Sequence, residues 1–95
     1  MQDYEKAIFR AALSKYGANN QMIVAMEECA ELIKAICKTI RGMNAYDNVS
    51  EEMADVSIMI DQLSILFQNA DKTRQWRNKK VTRLKARISN GGKKP

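Results

Sequence analysis

Two short acidic runs, EECAE at Glu27–Glu31 and EEMAD at Glu51–Asp55, sit inside segments whose apolar residues repeat with the period of an α-helix. That combination restricts the possible folds more than any other feature of the chain. Glu28 and Glu31 are three apart, as are Glu52 and Asp55, so on helices each pair projects from one face about one turn apart. On a wheel of about 100° per residue, Val24, Glu28, Glu31 and Ala35 share a stripe, and Glu52 and Asp55 share a side with Met59 and Leu66. Carboxylates bracketed by apolar residues are expected to be half buried, and buried acids need partners. Two such pairs, facing each other, would make a cage of four carboxylates.

A solvated helix face is the plain alternative, and the apolar flanks argue against it. Like charges one turn apart cost a helix about 0.2–0.5 kcal/mol each, so a cation is expected to offset Glu27, Glu28 and Glu31. The chain has no histidine, and Cys29 and Cys37 lie off the acid stripe, so the donor set is oxygen only. Such a set suits hard divalent ions, Mg²⁺ first and Mn²⁺ as a substitute. The missing histidine also weighs against a ferritin-like di-iron bundle, which needs Glu-x-x-His on two helices.

The helical periods extend well beyond the acids. A first helix is predicted from Gln2 to Tyr16, ended by Gly17, and a second, capped by Asn19 or Asn20, runs to Arg41 and stops at Gly42. In the second, Met22, Met26, Cys29, Ile33, Ile36 and Ile40 form a four-three seam expected to pack as core, nearly opposite the carboxylates. A helix of this kind is covered on both sides, by its own bundle or by a second subunit. Asn48 or Ser50 is the expected cap of a third helix, with Glu51 and Glu52 in its first turn and Val49, Met53, Val56, Ile60, Leu63 and Phe67 as its seam. The fourth, Asp71 to Ser89, is basic, with Trp76, Val81, Leu84 and Ile88 as apolar contacts, and the tail from Asn90 to Pro95 is expected to fray. These elements predict an all-α, four-helix bundle with short connections, one domain over residues 1–89.

Length and charge add two constraints. A 95-residue chain hides only about 60–65% of its unfolded surface, so association is expected. The net charge of +5 is unevenly placed: residues 1–71 hold six Lys/Arg against eleven Asp/Glu, and residues 72–95 hold ten Lys/Arg and no acid. An acidic body with a basic last helix suggests two halves that meet. No run approaches 18 apolar residues, and MQDYEKAIFRAAL carries charges where a signal peptide needs an apolar core, so a cytoplasmic protein is expected. The cysteines, eight apart and about 12 Å along one helix, read as reduced packing residues.

At this level of detail the chain resembles the MazG-like all-α nucleoside triphosphate pyrophosphohydrolases, relatives of the all-α dUTPases and dCTPases. Their pattern is EExxE, a gap, then ExxD. Glu27, Glu28 and Glu31 match the first half and Glu52 and Asp55 the second, with twenty residues between Glu31 and Glu52. Gln21 ahead of the acids, the DV after EMA, and the run Asn78, Lys80, Arg83 extend the likeness over residues 18–88.

The resemblance implies Mg²⁺ ligands at Glu28, Glu31, Glu52 and Asp55, catalytic roles for Glu27 and Glu31, and substrate contacts from Asn78, Lys80 and Arg83. It implies cleavage of a nucleoside triphosphate between the α and β phosphates by a homodimer or homotetramer. Met59, four residues after Asp55, departs from the polar or aromatic residue of the pyrimidine-specific relatives, which leaves the base open. The rival reading is a nucleic-acid-binding or nucleotide-sensing helical module that uses the basic last helix.

Overall fold

The computed structural model describes residues 1–91, so residues 92–95 of the expected basic tail lie outside the described residues. The chain forms α1 (Asp3–Tyr16), α2 (Ala18–Ile40), α3 (Tyr46–Phe67) and α4 (Ala70–Ser89), with no strand among the described residues. None of these helices is long and apolar enough to cross a membrane.

Local chemistry sets the boundaries. The Glu5 carboxylate accepts from the Gln2 N–H at 2.8 Å, and Asp3 and Glu5 sit at the positive end of the α1 dipole. Gly17, at φ +90°, is the single residue joining α1 to α2, a backbone angle that a side chain would strain. Asn19 and Asn20 do not cap α2 as expected, because Gly17 holds the cap position. The Asn20 amide instead donates to the Tyr16 carbonyl at 2.7 Å, satisfying an acceptor at the open end of α1.

The end of α2 matches expectation. Gly42, at φ +83°, donates to the Thr39 carbonyl and Met43 to that of Lys38, the paired bonds of a Schellman turn. α3 starts earlier than the Asn48 or Ser50 caps predict. Ala45 occupies the cap position, Asp47 is the first-turn acid, and Ser50 bonds back to Tyr46 inside the helix at 3.2 Å. Gln68, at φ +51°, closes α3 in the left-handed region.

α2 and α3 lie antiparallel as the dominant pair, and α1 packs across both through Phe9. Ala25 and Ala35 are buried on α2, and their small size lets the two backbones approach. Among them, Gln21 donates to Gln62 at 2.7 Å in a buried side-chain bond, and among the described residues no buried side-chain polar atom lacks a partner.

The contact face is therefore the acid-bearing stripe, and the expected core seam points outward. Met26 is 66% exposed, Ile33 61% and Ile40 80%. On α3, Met53, Ile60 and Phe67 are likewise exposed, and Cys29 and Cys37, read as packed thiols, are free and exposed. Helical period identifies an apolar stripe but not the surface that covers it.

α4 buries no residue. Trp76, expected as core, is about half exposed beneath the Lys79 ammonium, 5.2 Å from its ring centre. With α4 extended, the radius of gyration is 16.2 Å, against about 12.4 Å for a compact chain of this length.

Candidate metal centre

Glu28 on α2 faces Glu52 and Asp55 on α3, and one carboxylate oxygen from each lies within 4.8 Å of the others. Three features hold them there. The Schellman turn sends the chain back antiparallel, and the three-residue spacing puts Glu52 and Asp55 on the side of α3 that carries buried Met59. The Gln21–Gln62 bond then sets the register, seven residues from Glu28 on one helix and seven from Asp55 on the other.

Glu52 is buried, with 8% of its surface exposed, while Glu28 and Asp55 are half-buried. Burial pushes the Glu28 carboxyl above its usual 4.5, helped by a hydrogen bond to Asp55 and by the charges of Asp55, Glu52 and Glu31. Burial also raises Glu52, with Asp55, Glu51 and Glu31 adding repulsion and Lys34 opposing it. The ion pairs Lys34–Glu31 and Arg74–Asp71 lie elsewhere and leave the three acids facing one another.

The donor set fits a hard divalent ion. Mg²⁺ holds oxygens at about 2.1 Å, so the three carboxylate oxygens, within 4.8 Å of one another, would have to draw closer together to grip it. Glu31, expected as a fourth ligand, lies outside the triad: it is exposed and paired with Lys34 at 3.7 Å, yet close enough for its charge to raise both Glu28 and Glu52. Glu27 is exposed on the neighbouring flank of α2.

Asn78, Lys80 and Arg83 are exposed on α4. Lys80 borders a groove with Ile60, Thr73, Trp76 and Arg77, on the side of α3 that carries Ile60 rather than Glu52 and Asp55. The structure thus gathers Glu28, Glu52 and Asp55 and does not bring the α4 residues to them. Gln62 was not singled out in the sequence. Its signal was there, since Gln21 stands seven before Glu28 and Gln62 seven after Asp55, mirror positions on antiparallel helices. No protein-family model, curated protein or solved structure matches the chain.

Proposed function

We propose that this chain is a divalent-metal-dependent nucleoside triphosphate pyrophosphohydrolase of the MazG-like type, acting on a non-canonical or deoxynucleotide. The observation that carries the reading is the convergence of Glu28, Glu52 and Asp55 from two helices, one carboxylate oxygen of each within 4.8 Å of the others, with the Asp55 charge raising both glutamates and the Glu52 charge raising Glu28. Structural acids placed so closely would cost stability and return nothing, whereas a cation reverses the sign of the interaction.

In this reading Glu28, Glu52 and Asp55 hold Mg²⁺, and Glu31 completes the set by leaving Lys34, an exposed ion pair worth little. When bound, the ion would polarise the α-phosphate and neutralise charge on the departing pyrophosphate. Glu27 or Glu31, at the open rim, accepts the proton of the attacking water. The water oxygen bonds to the α-phosphorus, the bond to the β-phosphate oxygen breaks, and the products are a monophosphate and pyrophosphate. Asn78, Lys80 and Arg83 would meet base and phosphates when α4 is brought over the acids.

The test is pyrophosphate release across a panel of common and modified nucleoside triphosphates, with and without Mg²⁺. Release that requires the ion and vanishes in Glu28→Gln and Asp55→Asn supports the proposal. No release from any nucleotide with Mg²⁺ or Mn²⁺, together with salt-sensitive RNA or DNA binding unaffected by Glu52→Gln, would replace it with the nucleic-acid module.

A further inference from the structure

A cation stands at the mouth of the acid cluster, on the same helix as Glu28. The Lys34 ammonium lies 3.7 Å from the Glu31 carboxylate, one turn back along α2. Burial and neighbouring acids raise the Glu52 carboxyl, and the Lys34 charge acts against them, so this ammonium is within electrostatic reach of the buried acid on α3 as well. Lys38 follows, half-buried, about 6 Å further along the axis, and Glu31, Lys34 and Lys38 fall within about 60° of one another around it. The negative end of α2 accounts for a lysine at 38, in the last turn, but not for one at 34. Among the described residues Lys38 has no carboxylate partner, and Lys34 has only the exposed one of Glu31.

The helix register says which side of the acids the lysines occupy. Gln21 faces Gln62 and Glu28 faces Asp55, so Lys34 comes level with Val49, one turn before Glu52. The lysines therefore lie where α2 turns into α3, whereas α4 leaves from the opposite end, after Phe67. From this placement we infer that Lys34 and Lys38 seat the pyrophosphate end of the nucleoside triphosphate, with Lys34 exchanging the Glu31 carboxylate for a phosphate when the ion takes Glu31. The inference rests on the metal-dependent reading above and adds the direction of the phosphate chain: the α-phosphate at the ion, the β and γ phosphates toward the α2–α3 turn.

Electrostatics gives the lysines this work. A polyphosphate must approach past the exposed acids Glu27, Glu31 and Glu51, so its outer phosphates need fixed positive charge beside the ion. Breaking the Lys34–Glu31 pair costs little, because both side chains are more than half exposed. Lys34 thus acts in two opposite senses: it competes with the metal ion for Glu31, and it attracts the phosphates that the ion brings.

Calorimetric titration of the full chain, first with Mg²⁺ alone and then with inorganic tripolyphosphate at saturating Mg²⁺, reads the two senses separately and needs no turnover. Lys34→Met should bind Mg²⁺ about two- to fivefold more tightly, since Glu31 loses its competitor. The same variant should bind tripolyphosphate about tenfold more weakly, through loss of a charged hydrogen bond. Lys34→Arg should keep the wild-type pattern, and Lys38→Met should lose tripolyphosphate affinity alone. Lys72→Met, which removes the same charge from the exposed start of α4, should change neither. Circular dichroism establishes that each variant stays helical, and Lys34→Gln replaces Lys34→Met if that one does not. Tripolyphosphate affinity unchanged in Lys34→Met and Lys38→Met, ion and polyphosphate weakened together in Lys34→Met, or a wild type that binds Mg²⁺ and no tripolyphosphate would each overturn the inference while the metal centre stands. A wild type that binds no Mg²⁺ overturns the metal-dependent reading and this inference with it.

Discussion

Replacing Gln21 by methionine should destabilise the protein, and replacing Gln21 and Gln62 together should restore most of the loss. The two side chains share one buried bond of 2.7 Å, with 7% and 6% of their surfaces exposed. Methionine keeps the volume at either position but leaves the opposite amide without its partner, at a cost of about 1–3 kcal/mol. For a chain of this length each kcal/mol moves the midpoint by about 4–8 °C, so each single variant should melt about 5–20 °C lower. The double variant buries two apolar chains of similar shape, leaves no orphaned amide, and should melt near the wild type or above it. Thermal melts followed by far-ultraviolet circular dichroism, at equal protein concentration so that any association affects all alike, measure all four proteins. A double variant that loses the sum of the two single losses would refute the reasoning, since the glutamines would then act as independent packing residues.

Glu28 and Glu52 have raised carboxyl pKa values, so the folded state binds their protons more tightly than the unfolded chain does. Their contribution favours the fold below about 4.5 and is lost as pH rises through the raised values. Metal-free Glu52→Gln should therefore melt higher than wild type at neutral pH, with the gap narrowing toward pH 4.5; a constant gap would contradict this. Added Mg²⁺ should raise the wild-type midpoint at neutral pH and leave that of Glu52→Gln nearly unchanged. Glu31→Gln should weaken Mg²⁺ binding less than Glu28→Gln in calorimetric titrations, because Glu31 starts outside the triad on Lys34; equal losses would place it among the resident ligands.

The acid pairs were legible in the sequence because helical spacing alone aligns Glu52 with Asp55 and carries Glu28 onto the same stripe as Val24 and Ala35. The stops at Gly17 and Gly42 were legible for the same reason: each glycine takes a positive φ that a side chain resists. The outward turn of the Met26–Ile33–Ile40 seam was not, since an apolar stripe reads alike whether its own chain or another covers it. The place of α4 was also hidden. Its basic residues point toward a negative surface by charge, but charge does not say where that surface lies. Glu31 lies outside the triad, 3.7 Å from the Lys34 ammonium, which helical spacing places within its reach three residues on.

Titration of the full chain with Mn²⁺, followed by electron paramagnetic resonance, tests the central claim most directly. Bound Mn²⁺ should appear in the wild type, give way to excess Mg²⁺, and disappear in Glu52→Gln while the helical content stays the same. Mn²⁺ that remains free in the wild type, or binds equally well after Glu52→Gln, would contradict a metal centre at Glu28, Glu52 and Asp55.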